Sequence, residues 1–444
     1  MQKELTIKDI EKLASTNEGK IDPVKEMAVR GNGIVASCTD NDVAMSLQNV
    51  FSVEVDAGEI TNQNQSGRCW MFAGLNVLRQ VLFAKLGVKS IELSQAYLQF
   101  YDKLEKANFT LEKAIDIVEE PINSRLNAYL LDNCSGDGGH WAMFTSLVKK
   151  YGVVPSVFMK DTAVSKSTKE LNGILQNLLA NDIKVFHDMA AKGKSKEEMR
   201  KKKEGMLEDV YRVLVISLGV PPKKFALEYK DKDNKFVRLP EMSGIEFYEK
   251  YIGINLDEWI SLSDAGTLNW EKGVRYTCPY VGNVIGGDPV TFFDVPISEL
   301  RKAVVASLKG GEIVWFASEV GAKSLRKAGL MSPDLIREDL LFGIKDKLSK
   351  GEQLDYHSAY CSHAMAFTGV NLVGGKPNRY KIENSWGKEN GEGGFFVCDA
   401  AWFDSYVYQI LVRKKYLSEA LLRQYEESPI KECDPFNGLW TSLD

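Results

Sequence analysis

The sequence is poor in the residues that usually build metal centres and disulfide frameworks. Its 444 residues include four histidines and seven cysteines, and the cysteines are scattered without a single Cys-x-x-Cys pair. An odd number of dispersed cysteines is not typical of a disulfide scaffold or a zinc site, and it favours a reducing compartment. We therefore expect no structural disulfides, no metal ion and no organic cofactor.

Long apolar runs and an excess of one charge are also missing. The most apolar stretch, 210–220, is interrupted by Arg212 and is too short for a bilayer core of about 30 Å. The first residues are polar and lack the apolar core of a signal peptide. Because 56 basic residues stand against 61 acidic ones, the net charge of −5 gives no general reason to expect nucleic acid or an anionic membrane. These features favour the cytosol.

What the chain does have is ample apolar material. Hydrophobic residues make up 44% and charged residues 26% of the sequence, as in ordinary soluble proteins with a large core. This composition excludes a disordered, collagen-like or coiled-coil chain. The length allows about three domains, or one large domain that carries insertions.

Hydrophobic periodicity divides the chain into a helical first part and a strand-rich second part. A helix is predicted after Cys69, from Trp70 to about Leu86, with Gly87 as its natural stop, and a Lys-rich helical region is predicted over 168–218. After Asp264 the composition shifts to short runs of β-branched and aromatic residues. The predicted strands are 312–316, 363–370, 379–383 and 394–397.

Cys69 has the placement of a reactive thiol. It lies where a glycine-containing loop enters the predicted helix, so that its sulfur faces the positive end of the helix dipole. That position favours the thiolate over the thiol. The alternative is a buried cysteine that acts as a small hydrophobic side chain, which is the usual fate of an isolated cysteine.

His363 and Asn384 supply the groups that a reactive thiol needs. A lone histidine at the mouth of an apolar strand is more often structural than catalytic. The segment Asn384-Ser385-Trp386-Gly387 changes this interpretation, because an asparagine oxygen accepts from one imidazole nitrogen and turns the other towards the thiol. Trp386 would shield that hydrogen bond from water.

Taken together, these segments resemble the papain-like cysteine peptidases, and more closely the bleomycin hydrolase and bacterial aminopeptidase C branch. The likeness extends along nearly the whole chain, and the motifs that carry it are Gln63-x-x-Ser66-Gly67-Arg68-Cys69-Trp70, Ser362-His363-Ala364-Met365 and Glu383-Asn384-Ser385-Trp386-Gly387. The resemblance implies an α+β fold: a two-lobed papain-like peptidase, one lobe helical and one β-rich, with a large helical insertion and a C-terminal arm.

The resemblance also assigns catalytic roles. It makes Cys69 the nucleophile, His363 the general base and acid, and Asn384 the residue that orients the imidazole. Gln63 would supply one donor of the oxyanion hole and the Cys69 backbone N–H the other, each such donor being worth about 3 kcal/mol. A thiolate–imidazolium pair attacks a peptide carbonyl to form a thioester acyl-enzyme.

The spacing of nucleophile and base indicates where the extra length lies. Cys69 and His363 are 294 residues apart (363 minus 69), against roughly 130–150 in compact papain-like enzymes. We therefore divide the chain into an N-terminal segment with the helical lobe (1–155), a helical insertion (156–265), a β-rich lobe (266–430) and a C-terminal arm (431–444). In this branch such an insertion helps to build a homohexamer with an internal chamber.

Two further segments resemble substrate-binding parts of the branch. Asp137-Gly138-Gly139 resembles the loop whose backbone pairs with substrate, and Trp386 also borders the cleft. His140, where the branch usually has glutamine, is either a solvent-facing loop residue or a determinant of specificity. The C-terminal arm of the branch lies in the cleft and its carboxylate, here on Asp444, would hold the substrate's α-ammonium group.

The sequence therefore predicts a cytosolic aminopeptidase that acts on short peptides. The segment from 434 to 444 is a few residues longer than the branch's usual ending, so three outcomes stay open: the tail is self-trimmed, it folds differently, or the cleft is open and the enzyme is an oligo-endopeptidase. A remote alternative is an oligomeric scaffold or nucleic-acid binder based on the basic run 192–204. We interpret that run as a solvated helix face and expect no nucleic-acid partner.

Overall fold

The first half of the chain is helical. The computed structural model describes residues 3–267, 270–344 and 347–440. Its helices up to residue 218 are α1 (Ile7–Asn17), α2 (Pro23–Asn32), α3 (Ile34–Cys38), α4 (Asn41–Ser46), α5 (Cys69–Leu86), α6 (Gln95–Asp116), α7 (Arg125–Asn133), α8 (Trp141–Tyr151), α9 (Ala163–Lys166), α10 (Lys169–Ala191) and α11 (Lys196–Leu218). The helix predicted after Cys69 and the helical region at 168–218 are confirmed.

Strands dominate the second half. One short strand, β1 (Val53–Glu54), lies among the first helices. The others are β2 (Glu228–Lys230), β3 (Phe236–Arg238), β4 (Trp259–Ser263), β5 (Val274–Thr277), β6 (Thr291–Asp294), β7 (Val314–Ser318), β8 (Ser324–Leu325), β9 (Leu330–Met331), β10 (His363–Val373), β11 (Lys376–Glu383), β12 (Phe395–Asp399), β13 (Val407–Arg413) and β14 (Ile430–Glu432). The helices among them are α12 (Gly244–Phe247), α13 (Ile297–Lys309), α14 (Glu338–Phe342), α15 (Lys350–Asp355), α16 (Ala400–Tyr406) and α17 (Glu419–Glu427). The four predicted strands are confirmed as β7, β10, β11 and β12, with boundaries shifted by a few residues.

One large mixed sheet places the histidine and the asparagine side by side. Its strand order is β14-β5-β6-β4-β13-β7-β10-β11-β12-β9-β8, with β1 added to β10. His363 is the first residue of β10 and pairs with Ser318 of the antiparallel neighbour β7. On the other side β10 is antiparallel to β11, which ends at Glu383. Because antiparallel β10 begins where β11 ends, His363 and Asn384 lie at one edge of the sheet.

Helix α5 carries Cys69 to the same edge. The helix is buried around nearly its whole circumference, which is typical of a helix in the core of a large protein. It ends at Gly87, whose φ of 64° is the left-handed conformation that glycine adopts without strain. Helix α5 packs against β7 and β10, and the Trp315 indole N–H donates to the Trp70 carbonyl at 3.1 Å. Cys69 therefore stands where the helix meets the start of β10.

The basic run at 192–204 is mostly exposed, and three of its seven basic side chains pack against α6. Arg200 donates to Glu112 of α6 at 2.9 Å, Lys203 pairs with the same carboxylate, and Lys196 donates to the Asp116 carbonyl at 2.8 Å. These contacts hold α11 against α6, so several of the basic side chains stabilise helix packing and do not form a uniformly solvated face.

Within the described part of the chain, no helix is long and apolar enough to cross a membrane. None of the seven cysteines, all of which lie in that part, forms a disulfide.

Candidate active site

Cys69 is buried at the first turn of α5, and its sulfur lies against the backbone of β10 at Ala364, the residue after His363. Its sulfur accepts a hydrogen bond from the Ala364 backbone N–H at 3.3 Å. The side chain has no solvent exposure, and the first backbone N–H groups of a helix have no partners within the helix. Helix start and strand start thus bring the predicted nucleophile and the predicted base together, although they are 294 residues apart in sequence.

The imidazole of His363 is oriented by Asn384. The two side chains meet through His363 Nε2 and Asn384 Oδ1 at 2.9 Å, and both residues are buried. Asn384 Oδ1 also accepts from the Ser385 backbone N–H at 2.8 Å, which identifies this atom as the oxygen of the amide. Nε2 must therefore donate, and the lone pair of the ring lies on Nδ1. This tautomer can accept a proton from a thiol.

Trp386 covers the histidine. Its ring lies 4.6 Å from the His363 ring, centroid to centroid, at an interplanar angle of 33°. Burial lowers the pKa of His363 to about 4, the bond to Asn384 opposes this shift, and the positive charge of Arg326 adds to it. Burial therefore favours the uncharged imidazole, the form that can accept the thiol proton.

Gln63 is held at both ends of its amide. Its Nε2 donates to the Ser66 carbonyl at 2.7 Å, and its Oε1 accepts from the Ser385 hydroxyl at 2.6 Å. An amide NH₂ has a second hydrogen, which this arrangement leaves for a developing oxyanion. Ser385 was not identified from the sequence as a functional residue, yet it fixes which end of the Gln63 amide points inwards.

Asp137 lies beneath the cleft loop and its carboxylate faces the interior. It forms a buried ion pair with Lys103 at 2.7 Å and accepts from the Gly67 backbone N–H at 2.9 Å and from the Thr168 hydroxyl. The Lys103 ammonium and these hydrogen bonds hold the pKa of Asp137 well below its usual range. The carboxylate therefore ties the loop to the segment that precedes Cys69, and the predicted contact of Asp137 with substrate stays a prediction.

A second buried lysine holds the glycines of the same loop. Lys106 forms an ion pair with Asp102 at 2.8 Å and donates to the Gly138 carbonyl at 2.5 Å. A Cβ atom on Gly139 would come within 2.7 Å of the Trp70 ring, so only glycine fits there. The sequence analysis did not predict this role of Lys103 and Lys106. The one pattern that could have indicated it is the presence of two lysines on one face of an otherwise amphipathic helix.

His140, directly after the loop, does not face solvent. Its side chain is 1% exposed and its ring packs edge-on against Phe292 at 5.8 Å. Burial lowers the pKa of His140 to about 4, so the ring is neutral. The alternative of a solvent-facing loop residue is wrong, because α8 and the chain's tail enclose this position.

The C-terminal arm, called the tail below, runs from Cys361, just before β10, to His140. The Gly438 carbonyl accepts from the backbone N–H of Cys361, two residues before His363, at 3.1 Å. Trp440 is fully buried, and its ring lies 4.8 Å from that of Phe292. The tail is thus packed into the molecule as far as Trp440. Asp444, predicted to hold the substrate's ammonium group, lies outside the described residues.

An open groove of about 680 Å³ borders the site. Its lining includes Gln63, Gly67, Asp137, Glu319, Arg326, His363 and Trp386. The groove has the size of a small peptide and lies next to the imidazole.

The other cysteines have no comparable setting. Burial raises the pKa of the thiol to about 12 in Cys134, to about 11 in Cys278 and to about 12 in Cys433. Thiols with such pKa values are poor nucleophiles at neutral pH. Among the described residues no group of three or more His, Cys, Asp or Glu side chains is arranged to hold a metal ion.

A buried thiol at a helix start, an imidazole and an asparagine, assembled between a helical part and a β-sheet, define a papain-like cysteine peptidase. The model of the Peptidase C1-like family matches residues 4–438, and the chain belongs to that family. The resemblance drawn from the motifs is confirmed.

Individual relatives match along the full length. The chain is 40% identical to Aminopeptidase C of Listeria monocytogenes over 99% of this chain and 100% of the relative. It is 38% identical to Aminopeptidase C of Lactobacillus helveticus over 99% of both chains. The crystal structure of PepW from Lactobacillus rhamnosis HN001 is similar with a TM-score of 0.95, at 37% identity and with 100% of both chains covered.

Proposed function

We propose that this protein is a cysteine aminopeptidase that removes N-terminal residues from short peptides. The observation that carries the proposal is the meeting of Cys69, His363 and Asn384 beside a peptide-sized groove. The relatives named Aminopeptidase C support the class of substrate.

The geometry supports a two-step mechanism. The thiol proton of Cys69 moves to His363 Nδ1, and the thiolate adds to the carbonyl carbon of the first peptide bond. The oxyanion lies between the Cys69 backbone N–H and Gln63 Nε2. His363 then returns the proton to the leaving amine, and the C–N bond breaks to give the thioester. Water, deprotonated by His363, attacks the thioester and releases the amino acid.

The packed tail supports removal of N-terminal residues over internal cleavage. The tail connects Cys361, beside the base, with His140, which follows the glycine loop that would pair with the acyl part of the substrate. A buried Trp440 on that side leaves little room for residues before the cleaved bond. An oligo-endopeptidase needs this side open.

A pair of peptides that differ only at the N-terminus tests the proposal. A peptide with a free α-amine should lose its first residue, whereas the N-acetylated form should not be cleaved, as followed by mass spectrometry. Cleavage of an internal bond of the acetylated peptide at a comparable rate would show oligo-endopeptidase action instead. Cys69→Ala enzyme, assayed alongside, detects any contaminating peptidase.

The predicted architecture and assembly extend the proposal. In this proposal the chain consists of a helical lobe and a β-rich lobe with an insertion at 156–265. Six such chains form a homohexamer, and the enzyme works in the reducing cytosol. Exposed apolar side chains on the N-terminal and inserted helices support a protein interface there: Ile7, Ile10, Leu13, Val24, Met27, Ile174 and Ile216. Light scattering should give the mass of six 49.7 kDa chains, and a mass of one chain would contradict the assembly.

A further inference from the structure

Arg326 is an exposed cation held beside the catalytic histidine. It lies in the hairpin between β8 and β9, and its guanidinium carbon is 3.7 Å from the ring centre of Trp386. Trp386 in turn packs against His363. Stacking on an aromatic face fixes the plane of the guanidinium and leaves its N–H donors pointing outwards.

No anion of the described chain neutralises Arg326. Two acids line its groove, and both are engaged elsewhere. Asp137 forms its ion pair with Lys103. Glu319 accepts from the backbone N–H groups of Gly321 at 3.0 Å and Tyr360 at 3.1 Å and from the Ser362 hydroxyl. Among the residues that the structure describes, the Arg326 guanidinium has no ion pair and no hydrogen bond, and its contact is the Trp386 ring. The groove therefore contains an immobilised positive charge that lacks a partner.

The position of Arg326 relative to the chemistry follows from the role of His363. Because His363 protonates the leaving amine, the leaving peptide must lie on the side of His363 and Trp386, while the acyl part lies towards the glycine loop. The Arg326–Trp386 and Trp386–His363 distances together limit the separation of guanidinium and imidazole to about 8 Å. One or two extended residues span about 3.5–7 Å. A carboxylate at that distance from the cleaved bond reaches Arg326.

We propose that Arg326 is a specificity-determining residue that binds a carboxylate of the leaving group. The substrates favoured by this contact are di- and tripeptides, whose C-terminal carboxylate follows the cleaved bond by one or two residues, or peptides with an acidic side chain there. The planar guanidinium matches a carboxylate through two parallel N–H···O hydrogen bonds. This inference rests on the proposed peptidase function and narrows its substrate class.

Two pairs of peptides separate the sources of the carboxylate. The first pair is a tripeptide with a free C-terminus and its C-terminal amide. The second pair is an amidated tripeptide with glutamate or with glutamine immediately after the cleaved bond. We expect kcat/KM to be about five- to tenfold higher for the carboxylate member, since an exposed charge-assisted contact is of modest strength. If the enzyme prefers the carboxylate member only in the first pair, Arg326 binds the C-terminal carboxylate. If it does so only in the second pair, Arg326 binds the acidic side chain.

Variants of one residue connect the preference to Arg326. Arg326→Gln should abolish the preference, so that the ratio of kcat/KM between the two members of the favoured pair falls to about 1, and Arg326→Lys should retain part of it. Arg423→Gln is the matched control, because Arg423 is an exposed arginine of α17 that does not line the groove. This control should discriminate like the wild type.

The outcomes distinguish this inference from the proposed function. Equal kcat/KM for both members of both pairs in the wild type overturns the carboxylate contact, and so does full discrimination by Arg326→Gln. In either case continued hydrolysis of the peptides still supports a peptidase. If no peptide with a free N-terminus is hydrolysed, the proposed function fails and the inference fails with it.

Discussion

The bond between Asn384 and His363 gives a quantitative prediction. Asn384→Ala removes the acceptor of the 2.9 Å hydrogen bond from His363 Nε2. During catalysis the imidazole becomes positively charged, and a hydrogen bond to a charged group is worth about 1.5–3 kcal/mol. At about 1.4 kcal/mol for each tenfold change in rate, kcat should fall by roughly 10- to 150-fold.

The loss should appear in kcat and hardly in KM. Asn384 is 1% exposed, and its Nδ2 has no hydrogen-bond partner among the described residues, so alanine removes only the contacts of Oδ1. An interaction that strengthens as His363 becomes charged acts on the transition state and not on substrate binding.

A fluorogenic aminoacyl amide measures kcat and KM for the variant, with thermal unfolding as the test of folding. Asn127→Ala is the matched control, because Asn127 is 2% exposed and its amide donates to the backbone carbonyls of Glu120 and Pro121. That control should lose stability and keep kcat. If Asn384→Ala keeps kcat within twofold of wild type, or if the control loses as much, the orienting role is refuted.

Three further perturbations have defined outcomes. Truncation after Gly438 removes the buried Trp440 and should allow cleavage of an N-acetylated peptide that the full chain leaves intact. Arg79→Met leaves the buried Glu383 carboxylate without its 2.6 Å ion pair and should lower the free energy of unfolding by about 3–5 kcal/mol in urea titrations. Since the charge of Arg326 lowers the pKa of His363, Arg326→Gln should move the acid limb of the kcat/KM–pH profile upwards from about 4, most clearly at low salt.

Helix α5 and the strands of the sheet's centre were predictable because their signals are local. The periodicity from Cys69 to Gly87 and the apolar runs of β7 and β10 reflect burial in the residues themselves. The approach of Cys69 to His363 has no such local signal. The contact depends on the packing of two elements that are distant in sequence, which no local pattern reports. Only the resemblance of the motifs to a known family predicted it.

The buried residues that hold the active-site loops in place were not predictable from the hydrophobic pattern of the sequence. Lys103 and Lys106 bind a carboxylate and loop carbonyls that follow them by about thirty residues, and a lysine in a helix ordinarily faces water. His140 was ambiguous for the same reason, because its burial depends on a tail almost three hundred residues away in the chain. Arg326 lies in a short exposed hairpin, where only the three-dimensional neighbourhood of Trp386 distinguishes it from other surface arginines.

The central claim is that Cys69, and none of the other six cysteines, is the nucleophile. Titration of the enzyme with iodoacetamide to partial inactivation, followed by peptide mapping, tests it directly, because alkylation selects the thiolate. The account predicts that the labelled fraction of Cys69 equals the fraction of activity lost, while the buried Cys134, Cys278 and Cys398 stay unlabelled. Inactivation without label on Cys69, or full activity with Cys69 alkylated, would contradict it.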